Sequence, residues 1–139
     1  MAAFNKFNQF TKDLIDGVHD FDAHTFKIML VNTAPVATNT VKANLTEISA
    51  GNGYTAGGTA TTITTSTSSG TAKVTGTDVV FTATGAVGPF RYAVLYNDTP
   101  TSPADPLIGW WDYGASISLA NTETLTVDFD GTNGILTVA

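Results

Sequence analysis

The segment from Phe90 to Leu119, which reads FRYAVLYNDTPTSPADPLIGWWDYGASISL, carries the clearest structural pattern in the chain. Runs of apolar and aromatic residues are separated by a segment rich in proline, aspartate and threonine. Such runs, bounded by turn-forming residues, are typical of β-strands. The pattern predicts a loop at Asn97–Asp105, a break at Gly114, and strands at Phe90–Tyr96, Leu107–Tyr113 and Ser116–Leu119.

Similar short segments lie on both sides of this one. Turn-forming residues at Ala120–Asn121 and Gly131–Gly134 predict hairpin connections. This many short strands is typical of an antiparallel β-sandwich or jelly-roll-like domain, so we expect a mainly β fold. The further strands are predicted at Thr25–Val31, Thr59–Thr67, Ala72–Thr75, Val79–Ala83, Thr124–Phe129 and Ile135–Val138.

Three segments have less regular patterns. Thr59–Thr71 (TATTITTSTSSGT) is mostly threonine and serine, and we interpret it as an exposed edge strand or hairpin arm, because Ile63 and the β-branched threonines favour strand over a disordered linker. Ser49–Gly58 (SAGNGYTAGG) is too rich in glycine for a regular element and predicts a flexible exposed loop. Ala37–Ser49 fits either a short helix, which we prefer, or an extended segment.

The N-terminal segment has the periodicity of an amphipathic helix. Large apolar side chains recur at steps of three and four residues, and Gly17 with the polar run Asp20–His24 marks the end of the helix. We expect this helix, within residues 1–19, to pack on or beside a β-sandwich of residues 25–139. Packing on its own domain is preferred, because exposed phenylalanines promote aggregation. The apolar stripe consists of Phe4, Phe7, Phe10, Leu14, Ile15 and Val18.

Length and composition limit the classes of function. The chain has 139 residues, of which 42% are hydrophobic and 13% charged, and its formal net charge is −6. We expect one domain, residues 1–139, with a weakly charged surface suited to packing against other proteins. The few lysines and arginines are scattered, which argues against binding of nucleic acid or an anionic membrane. Polar residues within Met1–Val18 argue against a signal peptide or membrane span, so we expect synthesis and folding in a cytoplasm.

Two polar clusters contain metal-ligating residue types. His19–His24 (HDFDAH) suits zinc or nickel, but so short a span does not bring enough donors to one point, and we favour a turn. Asp128–Gly134 (DFDGTNG) resembles the start of a calcium loop, yet Ala139 stands where the bidentate glutamate belongs, so we favour a hairpin turn. The sequence has no cysteine, nucleophile elbow, phosphate-binding loop or dinucleotide fingerprint. We therefore expect no catalysis, no metal and no cofactor.

Trp110, Trp111 and Tyr113 form an aromatic cluster in one predicted strand. Because successive side chains of a strand point to opposite faces, at most one of the tryptophans belongs to the core, and the other lies on a surface or interface. Tryptophan and tyrosine dominate contact energy in interfaces, so we favour this interpretation over a platform for a sugar or peptide. The candidate interface residues are Phe4, Phe7, Phe10, Trp110, Trp111 and Tyr113.

Four segments together resemble a family of small virion proteins of tailed bacteriophages. They read AFNKFNQFTKDLIDGVHDF, KIMLVNTAPVATNTVKANLTEISAGNGYTAGG, GPFRYAVLYNDTP and PLIGWWDYGASISLANTETLTVDFDGTNGILTVA. The resemblance covers nearly the whole chain and is weakest across Thr59–Val80. It is a resemblance of overall sequence, so it implies a structural role and assigns no residue to a site. Within such virions, an acidic, cysteine-free β-domain of this size is most similar to a capsid decoration, or cement, protein.

The resemblance implies a location on the capsid surface of the virion and a partner, the major capsid protein. Such a protein bridges neighbouring capsomers, self-associates as a small oligomer on the capsid, and stabilises the expanded shell. Exposed strand edges, such as the threonine-rich arm or Ile135–Val138, would extend a neighbour's sheet.

Two alternative functions are consistent with the same sequence. A tail or head–tail connector protein is also small, rich in strands and built for repeated association; it differs from a decoration protein in polymerising with itself. A carbohydrate-binding module is a more remote alternative. It would use Trp110 or Trp111 to bind glycans.

Overall fold

The structure is a computed structural model that describes residues 2–139. Within them lie one α-helix, α1 (Asn8–Ile15), and a 3₁₀ turn at Lys42–Asn44. The strands are β1 (Asn5–Lys6), β2 (Phe26–Val31), β3 (Thr59–Thr61), β4 (Ile63–Ser68), β5 (Thr71–Gly76), β6 (Val79–Thr82), β7 (Val87–Asn97), β8 (Leu107–Leu119), β9 (Thr124–Val127) and β10 (Leu136–Val138).

The strands form three antiparallel sheets. The largest has the order β1-β8-β7-β2-β3, and the long hairpin of β7 and β8 forms part of its middle. A second sheet has the order β10-β5-β4, and β6 pairs with β9 in a third. The mainly β fold, with antiparallel, sandwich-like sheets and a short N-terminal helix, is therefore confirmed. The jelly-roll alternative is not confirmed.

The principal core joins one face of the largest sheet to the smaller sheets. Phe26, Ile28 and Leu30 alternate along β2 and lie in one apolar cluster with Val79 and Phe81 of β6. All five are buried. Each such side chain contributes roughly 1.5–3 kcal/mol when it is removed from water, so this cluster holds the layers together.

The opposite face of the largest sheet is also covered. Met29 and Val31 of β2 are fully buried there, in a second cluster with Val94 of β7 and Phe7. Leu45, from the segment that follows β2, packs against this cluster. A strand buried on both faces is apolar at nearly every position, which explains why the sequence of β2 alternates only weakly.

The N-terminal helix is shorter than its predicted stripe. The chain is extended before Asn8, where β1 pairs with β8 through Asn5 opposite Trp110 and Lys6 opposite Gly109. Phe10 is buried in the principal core and Leu14 packs against it, whereas Ile15 at the end of α1 is exposed. Pairing with β8 therefore takes precedence over the helical periodicity in the first residues.

Phe4 and Phe7 lie on opposite faces of the sheet because an odd number of residue steps separates them in an extended chain. Phe4 packs against Trp111, with ring centroids 5.3 Å apart, and Phe7 packs against Trp110 at 4.5 Å. A side chain at Gly109 would overlap the Phe4 ring, so glycine is required there. The three-residue spacing that predicts a helix thus also suits a strand with aromatic residues on both faces.

Two segments are divided into strands differently from the prediction. The segment Thr59–Thr67 is not one strand but two, and its parts belong to different sheets because the chain crosses between them at Thr62. Conversely, the segments predicted on either side of Gly114 form the single strand β8. Gly114 has a φ of 100°, so it bends the strand without ending it.

The segment between β2 and β3 is more ordered than its composition predicts. The short helix predicted within Ala37–Ser49 is only the 3₁₀ turn, and the rest is irregular. The glycine-rich loop Ser49–Gly58 has no strand or helix and is exposed at seven of its ten residues, as predicted, but one buried side chain anchors it. Tyr54 is only 2% exposed, and its hydroxyl accepts a hydrogen bond from the Leu30 N–H at 3.0 Å and donates one to Glu47 Oε1 at 2.7 Å.

Among residues 2–139, no helix is long and apolar enough to span a membrane.

Candidate functional site

The hairpin of β7 and β8 contains a large bulge. Phe90 of β7 pairs with Ile117 of β8, whereas Tyr92, two residues further on, pairs with Asp112. β8 therefore has four residues, Tyr113–Ser116, where β7 has a single residue. All four are exposed. Bulges redirect side chains out of the regular ladder and are frequent beside binding sites.

An ion pair holds the base of this bulge. Arg91 Nε donates to Asp112 Oδ1 at 2.8 Å, and Arg91 Nη2 donates to Asp112 Oδ2 at 3.0 Å. Asp112 Oδ1 also accepts the backbone N–H of Gly114 at 2.8 Å. The hydrogen bond from Arg91, followed by that from Gly114, lowers the pKa of the Asp112 carboxyl below its ordinary value. The carboxylate therefore remains charged at neutral pH and keeps both partners.

A cleft of about 270 Å³ lies between the largest sheet and β9, beside the bulge. We call it the aromatic cleft. Most of its wall is apolar, and charged groups stand at Arg91 and Asp128. Tyr113, which is 60% exposed, belongs to its lining. The lining residues are Ala2, Leu30, Phe90–Ala93, Trp111, Tyr113 and Leu125–Phe129.

The backbone of β9 borders the aromatic cleft. Three consecutive residues of β9, Leu125–Val127, line it, together with Asp128 and Phe129, which follow the strand. Side chains of successive strand residues point to opposite faces, so consecutive lining requires contact along the side of the strand. In the part of the chain that the structure describes, β9 pairs only with β6. Its other edge therefore has no strand partner and can accept an extended chain.

The two tryptophans lie on opposite faces of β8, as the alternation predicts. Trp111 is 8% exposed and belongs to the principal core, where its ring lies between Phe4 and Phe129, at centroid distances of 5.3 and 5.4 Å. Trp110 is half-buried on the other face against Phe7. Both indole rings therefore have aromatic neighbours from this chain.

Of the six candidate interface residues, only Tyr113 is largely exposed. Phe7 and Phe10 are buried within the domain, and Phe4 is half-buried. The structure brings Trp111 and Tyr113 together in the aromatic cleft but does not bring the other four there.

Sequence reasoning missed the charged residues of the cleft. Arg91 and Asp128 line the cleft and Asp112 pairs with Arg91, but the three residues are scattered along the chain, and their arrangement depends on contacts between distant segments. The one sequence feature that could have indicated this site was Gly114. A glycine inside a strand pattern indicates a bulge as well as a break.

A second exposed feature is the edge of β4. β4 lies at the border of its sheet, and five of its six residues, all serine or threonine, are exposed. It joins β5 through a two-residue turn in which Ser69 and Gly70 both have positive φ, as in the tightest hairpins. The prediction of an exposed edge strand or hairpin arm in Thr59–Thr71 is thus confirmed.

Both histidines are held by one amide. Asn97 Oδ1 accepts the Thr99 N–H, so its Nδ2 group is directed to the histidines, 3.2 Å from His19 Nδ1 and 2.9 Å from His24 Nδ1. With the amide in this orientation, the Nδ1 atoms accept its hydrogen bonds. His19 is 6% exposed, and burial lowers its pKa to about 4. Within residues 2–139, no group of three or more histidine, aspartate or glutamate side chains could hold a metal ion.

The segment Asp128–Gly134 forms a turn. Asp130 Oδ1 accepts the N–H groups of Thr132 and Asn133, both at 2.8 Å, and Oδ2 accepts the Asn133 side-chain amide at 2.7 Å. These bonds lower the pKa of Asp130. The carboxylate therefore closes its own turn, but the prediction of a hairpin here is wrong, because the flanking strands β9 and β10 belong to different sheets. The hairpin predicted at Ala120–Asn121 is wrong for the same reason, since β8 and β9 do not pair.

Comparisons with protein-family models, curated proteins and solved structures found no match.

Proposed function

We propose that this chain is a structural protein of a tailed-phage virion, which binds the outer surface of the major capsid shell and stabilises it. Two observations support the proposal. One is the sequence resemblance across nearly the whole chain. The other, which carries the structural argument, is the unprotected edge of β4.

Natural proteins protect exposed strand edges with charged residues, prolines or bulges. β4 (Ile63–Ser68) has none of these, because it contains only isoleucine, threonine and serine and pairs with β5 in unbroken register. Its unpaired N–H and C=O groups can add a strand from another chain, and the absence of charge removes repulsion at that contact. An edge of this kind suits a protein that works by association.

Repetition makes such a contact effective on a capsid. Pairing along one short strand buries little surface, so a single contact is weak. A shell presents the same docking surface many times, and a decoration protein that touches neighbouring capsomers, or other copies of itself, gains affinity through multivalency. Only 13% of all residues are charged, which is compatible with such close packing.

A tail or head–tail connector protein remains the second candidate, because the edge of β4 can also pair with its counterpart in another copy. Open-ended self-association would favour this candidate, whereas a small closed oligomer would favour decoration. The carbohydrate-binding alternative has less support. Both tryptophans proposed as platforms pack against phenylalanines of this chain, and Tyr113 alone offers an exposed ring beside the cleft.

We propose no catalytic role. Both histidines of the chain are hydrogen-bonded to Asn97 rather than to a serine or threonine hydroxyl.

The proposed function is tested by removing the chain from phage heads and adding it back. Heads without the chain should release DNA at a lower temperature than complete heads, measured with an intercalating dye, and purified chain should restore the original temperature. Equal thermal stability of heads with and without the chain would contradict a stabilising role.

A further inference from the structure

The aromatic cleft combines the features of a groove that binds an extended peptide. The unpaired edge of β9 runs along it, apolar side chains such as Trp111 and Phe90 line its interior, and Asp128 stands at its border. In grooves of this kind the backbone edge supplies affinity, and a side-chain pocket supplies specificity. The bulge at Tyr113–Ser116 adds an exposed aromatic ring on the side of β8.

We propose that the aromatic cleft binds an extended segment of a partner protein. The segment pairs with the free edge of β9, inserts one large apolar side chain into the cleft, and places a lysine or arginine beside Asp128. This inference rests on the proposed function in one respect: the segment belongs to the protein on which this chain docks.

The volume of the cleft sets the size of the inserted group. Pockets for drug-sized ligands begin at roughly 300 Å³, whereas an apolar cavity of about 150 Å³ already accepts benzene. At about 270 Å³, the cleft has room for one aromatic, leucine or methionine side chain with part of its backbone. A single buried anchor of this kind typically carries much of the energy of an interface.

The charges at the cleft favour a basic residue next to the inserted apolar side chain of the partner segment. Arg91 and Asp112 neutralise each other through two hydrogen bonds. Asp128 is exposed and has no ion-pair partner among residues 2–139, so the border of the cleft carries a net negative charge. The whole chain, at −6, adds to this field. A cation next to the anchor would pair with Asp128.

The test uses synthetic β-forming peptides with one variable central residue flanked by lysine, alanine or glutamate. Binding is followed by NMR, through the backbone amides of Leu125–Val127 and the indole N–H of Trp111. Peptides with a central phenylalanine, leucine or methionine and lysine flanks should shift these signals. Alanine at the centre, or glutamate at the flanks, should weaken binding by roughly tenfold or more.

Two variants and a matched control connect binding to the cleft. Ala93→Leu fills the cleft and should weaken the best peptide by about tenfold, while thermal stability is kept or raised. Asp128→Asn should remove the preference for lysine over alanine flanks. Asp22→Asn, an equal change of charge at an exposed turn elsewhere, should leave that preference intact. Should Ala93→Leu fail to fold, Tyr113→Ala, which removes an exposed aromatic ring from the lining, replaces it and should weaken the best peptide by about tenfold.

The proposal is overturned if no peptide shifts the β9 amides, or if Ala93→Leu and Tyr113→Ala both leave binding unchanged. Failure of the capsid assignment is a separate result. A chain that binds lysine-flanked peptides in the cleft but is absent from capsid shells would support this inference and contradict the proposed function.

Discussion

Arg91 and Asp112 form a two-point ion pair across the β7–β8 hairpin, at the place where β8 bulges away from its partner strand. The Arg91 guanidinium also lies 5.4 Å from the centroid of the Tyr92 ring. Asp112 shares its Oδ1 with the Gly114 N–H, so one carboxylate fixes both the arginine and the first turn of the bulge. The position of Tyr113 beside the aromatic cleft depends on this carboxylate.

Removing the carboxylate should loosen the bulge without unfolding the domain. In Asp112→Ala, the Gly114 N–H loses its acceptor, and we expect its hydrogen exchange to accelerate by roughly tenfold. Overall stability should change little, because the ion pair is partly exposed. Asp22→Ala, at an exposed turn, is the control. Unchanged exchange at Gly114 would show that Asp112 does not order the bulge.

The buried His19 should make stability depend on pH. Its pKa falls from about 6.5 in an unfolded chain to about 4 in the fold, so the unfolded state binds more protons between these values. The free energy of unfolding should therefore be highest above pH 6.5 and decrease by about 3 kcal/mol as the pH falls to 4. Urea unfolding across this range measures the slope. His19→Leu should flatten it, and an unaltered slope would exclude His19 as the cause.

The Tyr54 hydroxyl should contribute strongly to stability. The hydroxyl accepts a hydrogen bond from the buried N–H of Leu30 and donates one to Glu47. Leu30 belongs to β2 at a position past the point where the pairing with β3 ends. Tyr54→Phe leaves that N–H without a partner, so we expect a loss of about 2 kcal/mol in urea unfolding. Tyr113→Phe removes an exposed hydroxyl and should change stability by less than about 0.5 kcal/mol. Equal effects of the two substitutions would contradict this assignment.

Local sequence patterns predicted most of the strands, either from apolar runs such as β2 or from burial with a period of two. Val79–Thr82 and Thr124–Val127 alternate between inner and outer faces, and their predicted bounds are close to those observed. The pattern at Phe4 and Phe7 was ambiguous. A three-residue step fits a helical stripe and also a strand with both faces covered, and only pairing with β8 distinguishes them.

The aromatic cleft could not be predicted from the sequence. It depends on the register of β7 against β8, which shifts between Phe90 and Tyr92, and on the packing of β9 over the hairpin. Neither is a local property. The edge of β4 could be predicted from the sequence, because its uncharged composition of threonine and serine is itself what indicates an exposed edge strand.

A charge on β4 should block association without disturbing the fold. Lysine at an exposed edge opposes strand addition. We expect Thr65→Lys to keep its melting temperature within about 2 °C, because the side chain is exposed, yet to lose binding to phage heads in a sedimentation assay. Asn121→Lys adds the same charge at an exposed turn and should bind normally. Normal binding of Thr65→Lys would remove β4 from the interface.

The most direct test of the proposed location is the number of copies of this chain per particle, relative to the major capsid protein, measured by quantitative mass spectrometry of purified virions. A decoration protein should be present at a ratio near one, or at a simple fraction set by the capsid lattice. A few copies to a few tens per particle would contradict capsid decoration and indicate a tail or connector protein instead.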